Sequence, residues 1–200
     1  MIAIIDYGAG NIKSLQSALT KLNLESCLTN DKQTITNSKA IILPGVGAFK
    51  DAIDALNQYG LVEILQQQAK IGKPILGICL GMQLLYEKSL ENGEWDGLNI
   101  LEGIIKRMDD SVKVPHMGWN TLAKQKQCSL LTNIDDQAFV YFVHSYYVDK
   151  MPADQLVSSC HYGVEIPAIV QKNNIFGMQF HPEKSGKNGL MLLKNFGEMI

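Results

Sequence analysis

Apolar residues follow two patterns along the chain. In the first half, short unbroken apolar runs alternate with longer amphipathic stretches. Met1–Asp6 (MIAIID), Ala40–Leu43 and Pro74–Ile78 are runs of the kind a parallel sheet buries on both faces, and Glu25–Thr29 is a weaker strand. Asn11–Leu22 places Ile12, Leu15, Ala18, Leu19 and Leu22 at helical spacing, a face for core packing. Ala48 to Ile71 is helical in character with a break at Tyr59-Gly60, and Gln66-Gln67-Gln68 within it reads as an exposed face. Leu80–Leu90 predicts a further helix. Strand–helix alternation of this kind implies right-handed crossovers and a mostly parallel sheet.

The second half is richer in short β-type pieces: Ile104–Arg107, Ala138–Tyr146, Leu156–Tyr162, Ala168–Lys172 and Ile175–Phe180, some of them antiparallel additions. Lys187–Met199 is a closing amphipathic helix. No repeat, low-complexity tract or Pro/Gly/Ser linker divides the chain, so residues 1–200 read as one domain. The expected fold class is α/β: an open, mostly parallel sheet with helices on both faces, plus antiparallel additions in the second half.

Composition adds limits. The 200 residues are 46% hydrophobic and 19% charged, enough for a sizeable core without disulfide or metal. A net charge of −2 offers no basic excess to neutralise phosphates, so no nucleic-acid partner is expected. No run of about 18 apolar residues is present, and Met1–Asp6 enters a strand without a basic n-region, so neither a membrane span nor a signal peptide is expected. Cys27, Cys79, Cys128 and Cys160 form no C-x-x-C pair. They read as free thiols in a reducing compartment, the cytoplasm.

One of these thiols has the setting of a nucleophile. Gly77-Ile78-Cys79-Leu80-Gly81 follows an apolar strand and precedes a helix, the cysteine form of the nucleophile elbow. Small residues two positions either side relieve crowding at a sharp turn. The helix N-terminus then stabilises a thiolate, and the Leu80 N–H points at a developing oxyanion. The bland reading is a buried cysteine in a tight turn. A base is available in His181, at the end of the strand-like Ile175–Phe180, with Glu183 two residues on to fix its tautomer. Pro44-Gly45-Val46-Gly47 follows a third strand. Its glycines allow backbone N–H groups to converge, as the second half of an oxyanion hole or as a plain turn.

Other chemistries fit poorly. Gly45/Gly47 and Gly8/Gly10 each lack the third glycine of a dinucleotide loop, since Lys50 and Lys13 stand there, and no Walker sequence occurs. No H-E-x-x-H or paired C-x-x-C suggests a metal, and Cys160-His161 point to opposite faces of a strand. No cofactor and no metal are expected. Cys27, Cys128 and Cys160 read as structural.

Together, Pro44-Gly45-Val46-Gly47, Gly77-Ile78-Cys79-Leu80-Gly81-Met82-Gln83 and His181-Pro182-Glu183 resemble the motifs of the class I (triad) glutamine amidotransferases, in order and over the whole chain. Asp6-Tyr7-Gly8-Ala9-Gly10-Asn11, Pro115-His116-Met117-Gly118-Trp119-Asn120, Phe142-Val143-His144-Ser145-Tyr146-Tyr147 and His181-Pro182-Glu183-Lys184-Ser185 are similar to one branch of that family, the glutaminase subunits of imidazole glycerol phosphate synthases. Ala9 departs from the proline of many relatives.

The resemblance implies a flavodoxin-like fold and hydrolysis of glutamine to glutamate and ammonia. It implies a heterodimer with a (β/α)8-barrel cyclase subunit that uses the ammonia in histidine biosynthesis. By this resemblance Cys79, His181 and Glu183 are catalytic, Val46, Gly47 and Leu80 form the oxyanion site, and Gly47, Gln83, Ser145 and Tyr146 hold the substrate. Asn11, Met117, Trp119, Tyr141, His144 and Lys184 are implied at the partner interface. The plain alternatives are core packing for Trp119, a backbone-bonded strand residue for His144, and a solvated charge for Lys184. Two rival functions are an amidotransferase subunit of another pathway and a silent docking subunit; the complete Cys79–His181–Glu183 set argues against the second.

Overall fold

The computed structural model describes all 200 residues. Its elements in chain order are β1 (Ile2–Ile5), α1 (Ile12–Lys21), β2 (Ser26–Thr29), α2 (Lys32–Asn37), β3 (Ala40–Leu43), α3 (Phe49–Gln58), α4 (Val62–Lys70), β4 (Ile75–Ile78) and α5 (Leu80–Leu84). There follow β5 (Lys88–Ser89), β6 (Trp95–Asp96), β7 (Ile104–Arg107), β8 (His116–Thr121), β9 (Ala123–Lys124), β10 (Phe139–His144) and β11 (Tyr146–Asp149). Last come β12 (Leu156–Tyr162), β13 (Val164–Lys172), β14 (Ile175–Met178) and α6 (Gly186–Gly197).

The main sheet has the order β2-β1-β3-β4-β14-β13-β12-β9. Its first five strands are parallel, and β13, β12 and β9 extend it antiparallel. The parallel part is the doubly wound order in which sites form beyond the carboxyl ends of the strands. Period-two alternation divides the core. Ile2, Ile4, Ile42 and Leu76 pack on the side of α1 and α6, against Leu15, Leu19, Leu192 and Phe196. Ala3, Ile5, Ile41, Leu43 and Ile75 pack on the opposite side, against Ile35, Phe49, Leu56 and Leu65. Both faces of β1, β3 and β4 are therefore buried, which is why their sequences are unbroken apolar runs.

Several expectations are corrected. The helix expected over Leu80–Leu90 stops at Leu84 because its carbonyls are claimed from outside: Leu98 N–H donates to Leu84 O at 2.8 Å, and the N–H groups of Ile100 and Leu101 donate to Leu85 O at 2.9 Å. Lys88–Ser89 then joins β7 as a strand. Ala138–Tyr146 is two strands in different sheets, β10 paired with β8 as a separate ribbon and β11 paired with β7, with the change of sheet at Ser145. The β13 strand begins earlier than expected, at Val164, and β14 ends at Met178. Within the expected glutamine-rich face, Gln68 is buried. The short helix α2 was not expected, although Asp31 caps it, accepting from Thr34 N–H at 2.7 Å. The Ala48–Ile71 stretch breaks near Tyr59-Gly60 as expected, where Gly60 takes φ +64°. No helix is long and apolar enough to cross a membrane.

Candidate active site

Three parallel strands end at one place. After β4 the chain turns sharply at Cys79, held at φ +54°, ψ −113°, a strained region for any residue but glycine. The turn closes only because its neighbours are small. A Cβ at Gly81 would fall on the carbonyl oxygen of Leu43, and one at Gly77 would lie 2.6 Å from the Cα of Met82. Cys79 N–H donates to Met178 O at 2.8 Å, tying the elbow to β14. The helix after it is only five residues long, so the dipole expected to act on the sulfur comes from little more than one turn.

His181 follows the end of β14 and is fixed on two sides. Its N–H donates to Tyr141 O at 2.9 Å, and Ser185 Oγ donates to its carbonyl at 2.7 Å while accepting from Tyr141 N–H. Its Nδ1 pairs with Glu183 Oε1 at 2.9 Å, and both side chains are 3% exposed. Nδ1 is thus the donor, and His181 Nε2 is left buried and without a partner beside Cys79, free to meet a reacting atom. Burial draws His181 down, but the Cys79 sulfur and the Glu183 carboxylate outweigh it and raise the imidazole to about 10. The charged form of the base is the one this setting favours.

Beyond β3, Pro44–Gly47 passes over the elbow. Tyr7 of the Asp6–Asn11 segment donates its hydroxyl to Pro44 O at 2.6 Å. Val46 is 43% exposed, and Gly47 takes φ +99° with open space around it. The helix that starts here, α3, has no cap of its own. Glu91 supplies one, accepting from Phe49 N–H at 2.7 Å through Oε2.

A cavity of about 350 Å³ unites these groups, near the small end of the usual range for ligand sites. Cys79, His181, Val46, Gly47, Leu80, Gln83, Ser145 and Tyr146, eight of the expected site residues, all line it. Glu183 stands behind His181, outside the cavity, in a small recess with Asn11. Gln83 is buried and both hydrogens of its Nε2 are taken, by Tyr146 O at 2.9 Å and Gln179 Oε1 at 3.1 Å. Its Oε1 remains as an acceptor. Glu91, Pro115 and Val143 line the cavity and were missed. Glu91 is a loop carboxylate, suited to a substrate ammonium, and no spacing in the sequence marks it.

The expected interface residues divide. Met117 (62% exposed), Trp119 (55%) and Lys184 are exposed, and Trp119 packs edge-to-face on half-buried Tyr141 at 5.9 Å. Exposed Phe139, unforeseen, extends this β8–β10 face. His144 fits its plain alternative, a strand residue bonded to backbone: the β10 alternation turns it inward, so it is buried, lines the cavity, and bonds Tyr146 O through Nδ1 at 2.9 Å. Asn11 is half-buried, and its amide is committed to Glu183.

The family model for class-I glutamine amidotransferases matches residues 3–199. The chain is 60% identical, over the full length of both, to the imidazole glycerol phosphate synthase subunit HisH of Oceanobacillus iheyensis. It is 50% identical to the protein of that name from Caldanaerobacter subterraneus subsp. tengcongensis, across 100% of this chain and 98% of the relative. Among solved structures, a glutamine amidotransferase superposes with a TM-score of 0.78 at 18% identity, covering 98% of this chain and 100% of the other. A chain of the PurLQS structure from Thermotoga maritima superposes at 0.77 and 20% identity, covering 99% and 97%.

Proposed function

The chain belongs to the class-I glutamine amidotransferases, and on that footing we propose that it hydrolyses glutamine to glutamate and ammonia and passes the ammonia to a synthase subunit in histidine biosynthesis. The observation that carries this reading is the single cavity in which a strained cysteine, a histidine with a free Nε2 and backbone from three strand ends converge.

The Cys79 thiolate attacks the side-chain amide carbon of glutamine. The oxyanion that forms is held by the N–H of Leu80 and by one from the Val46–Gly47 turn, each contributing about 3 kcal/mol. His181, charged by transfer of the thiol proton, gives that proton to the leaving nitrogen, and the C–N bond breaks to leave a thioester and ammonia. Neutral His181 then takes a proton from water, the hydroxide attacks the thioester, and glutamate departs as the thiol is restored. Glu183 keeps the imidazole in one tautomer throughout. At the other end of the substrate, Glu91 and Gln83 Oε1 face the α-ammonium, and the Ser145–Tyr146 backbone faces the α-carboxylate.

The relatives' names are those of a synthase subunit, so a partner subunit is implied. We place a (β/α)8-barrel cyclase on the face of Met117, Trp119, Tyr141 and Lys184, next to the cavity. Ammonia in water at neutral pH is mostly ammonium and no nucleophile, so a consumer docked over the site receives it in usable form. Four unpaired cysteines support a cytoplasmic setting. The test is glutamate release by the chain alone, then with a cyclase subunit and its nucleotide ligand, each repeated with Cys79→Ala. Stimulation by the partner that vanishes in the variant supports the reading. Turnover indifferent to the cyclase moves the chain to another pathway, and none in either state overturns the reading.

A further inference from the structure

A line of side chains connects the exposed ribbon to the cavity, and every proton along it has a fixed place. Tyr146 O can only accept, so His144 Nδ1, 2.9 Å away, carries a hydrogen. Burial pushes this ring down to about 3, so it is neutral and its Nε2 is an acceptor. His116 Nδ1, at 3.1 Å, is therefore the donor. Burial pushes His116 down to about 4, so its Nε2 accepts in turn, from Asn120 Nδ2 at 3.3 Å. The Asn120 amide is itself fixed. Its Oδ1 accepts from Thr121 N–H at 2.8 Å, and its second hydrogen goes to His161 O at 3.0 Å. His116 stacks on both Phe142 and Tyr162, with centroids 4.7 and 4.0 Å away. A polar chain satisfied at every member, with both of its rings buried, holds one geometry.

The reaction as derived uses none of these three groups. Their common end point explains them. Ser145 is where the chain leaves one sheet for another, so no ladder runs continuously across that corner. Tyr146 O accepts there from both His144 and Gln83. We propose that His144, backed by His116 and Asn120, is a positioning residue for glutamine binding, setting the Ser145–Tyr146 corner that receives the backbone end of the substrate. This rests on the glutaminase reading and adds the residues that shape one part of its site. Asn120 adjoins exposed Trp119, so the corner and the docking face share one rigid path.

The test measures glutamine affinity by calorimetry in a Cys79→Ala background, where turnover cannot interfere. His144→Leu removes the donor to Tyr146 O, His144→Asn keeps a donor near the Nδ1 position, and His116→Phe keeps the stack while stripping the donor to His144. Affinity is expected to fall at least ~10-fold for His144→Leu, about 3- to 10-fold for His116→Phe and less than ~3-fold for His144→Asn. In chains that retain Cys79, alkylation by iodoacetamide needs the sulfur but not the corner, so its rate should stay at the wild-type value. Unchanged affinity in His144→Leu overturns the proposal. So does an equal loss in all three variants with altered alkylation, the mark of a merely structural role. Should His144→Leu not fold, weaker binding by His116→Phe than by His144→Asn supports the proposal, and equality overturns it. No glutamine binding by the Cys79→Ala parent itself overturns the glutaminase reading, and the proposal with it.

Discussion

Asn11 spends its amide on Glu183 rather than on its own helix. It stands at the N-cap of α1, yet its side chain makes no capping bond. Nδ2 donates instead to Glu183 Oε1 at 3.2 Å, the oxygen that also takes His181 Nδ1. A forgone cap costs about 1 kcal/mol, and a hydrogen bond to a carboxylate contributes about 1.5–3 kcal/mol. Asn11→Ala should therefore lower kcat/KM about tenfold or more. Asn11→Asp sets a second carboxyl beside Glu183 and can help only while protonated and donating. Its activity should fall with rising pH where that of Asn11→Ala does not, as glutamate release from about pH 5 to about pH 9 will show.

The strain at Cys79 predicts an inverted order of stabilities. In ordinary backbone, alanine is more stable than glycine by about 0.5–1 kcal/mol. At φ +54° the side chain is what strains the turn. Cys79→Gly should thus unfold at higher denaturant than Cys79→Ala, by about 1 kcal/mol, with both inactive.

Two glycines near the cavity should fail for different reasons. At Gly81 an added methyl meets Leu43 O, a backbone atom that cannot step aside, so Gly81→Ala should cost roughly 3 kcal/mol and lose the elbow. At Gly47 nothing lies within 4 Å, and only φ +99° opposes a side chain. Gly47→Ala should cost about 1 kcal/mol of stability while losing far more activity. Urea unfolding paired with glutaminase assays separates the two.

His116 and His144, pushed down to about 4 and about 3, make stability sensitive to acid. Above the free-histidine value of about 6.5 both states are neutral and the contribution is complete. As pH falls below it, the unfolded chain binds protons the folded rings refuse, so stability drains toward their lowered values. The loss between about pH 6.5 and about pH 5 should be on the order of 2 kcal/mol, and shallower in His116→Phe. His181, raised to about 10, acts in the other direction and only above about pH 6.5, so it does not mask this limb. Urea midpoints against pH provide the check.

Much of the fold was legible because its parallel half is simple. Doubly buried β1, β3 and β4 left unbroken apolar runs, and Gly77, Cys79 and Gly81 could stand together only in a sharp turn. The losses came where distant segments decide. Nothing in Leu80–Leu90 announces that Leu98, Ile100 and Leu101 will take its carbonyls. Nothing in Ala138–Tyr146 says that the strand changes sheets at Ser145. Glu91 was missed because a loop carboxylate carries no periodic signal. His144 was expected at the partner interface because resemblance supplied a neighbourhood, whereas the alternation of β10 turns its side chain inward onto Tyr146 O, as its plain alternative had it.

The position of Glu183, behind His181 and outside the cavity wall, separates what reacts from what recognises. The reacting groups ride on the ends of β3, β4 and β14, deep in the parallel sheet. On the proposed reading, the far end of the substrate is met by Gln83 on α5, by Glu91 in its loop and by the corner at Ser145, the last two at the seams of the smaller sheets. The loop carrying Glu91 can be lengthened or re-lined without moving a proton on the relay, whereas the Ser145 corner continues from β10, whose Tyr141 O takes the His181 N–H. A scaffold divided in this way can exchange its partner or its substrate while inheriting its chemistry intact.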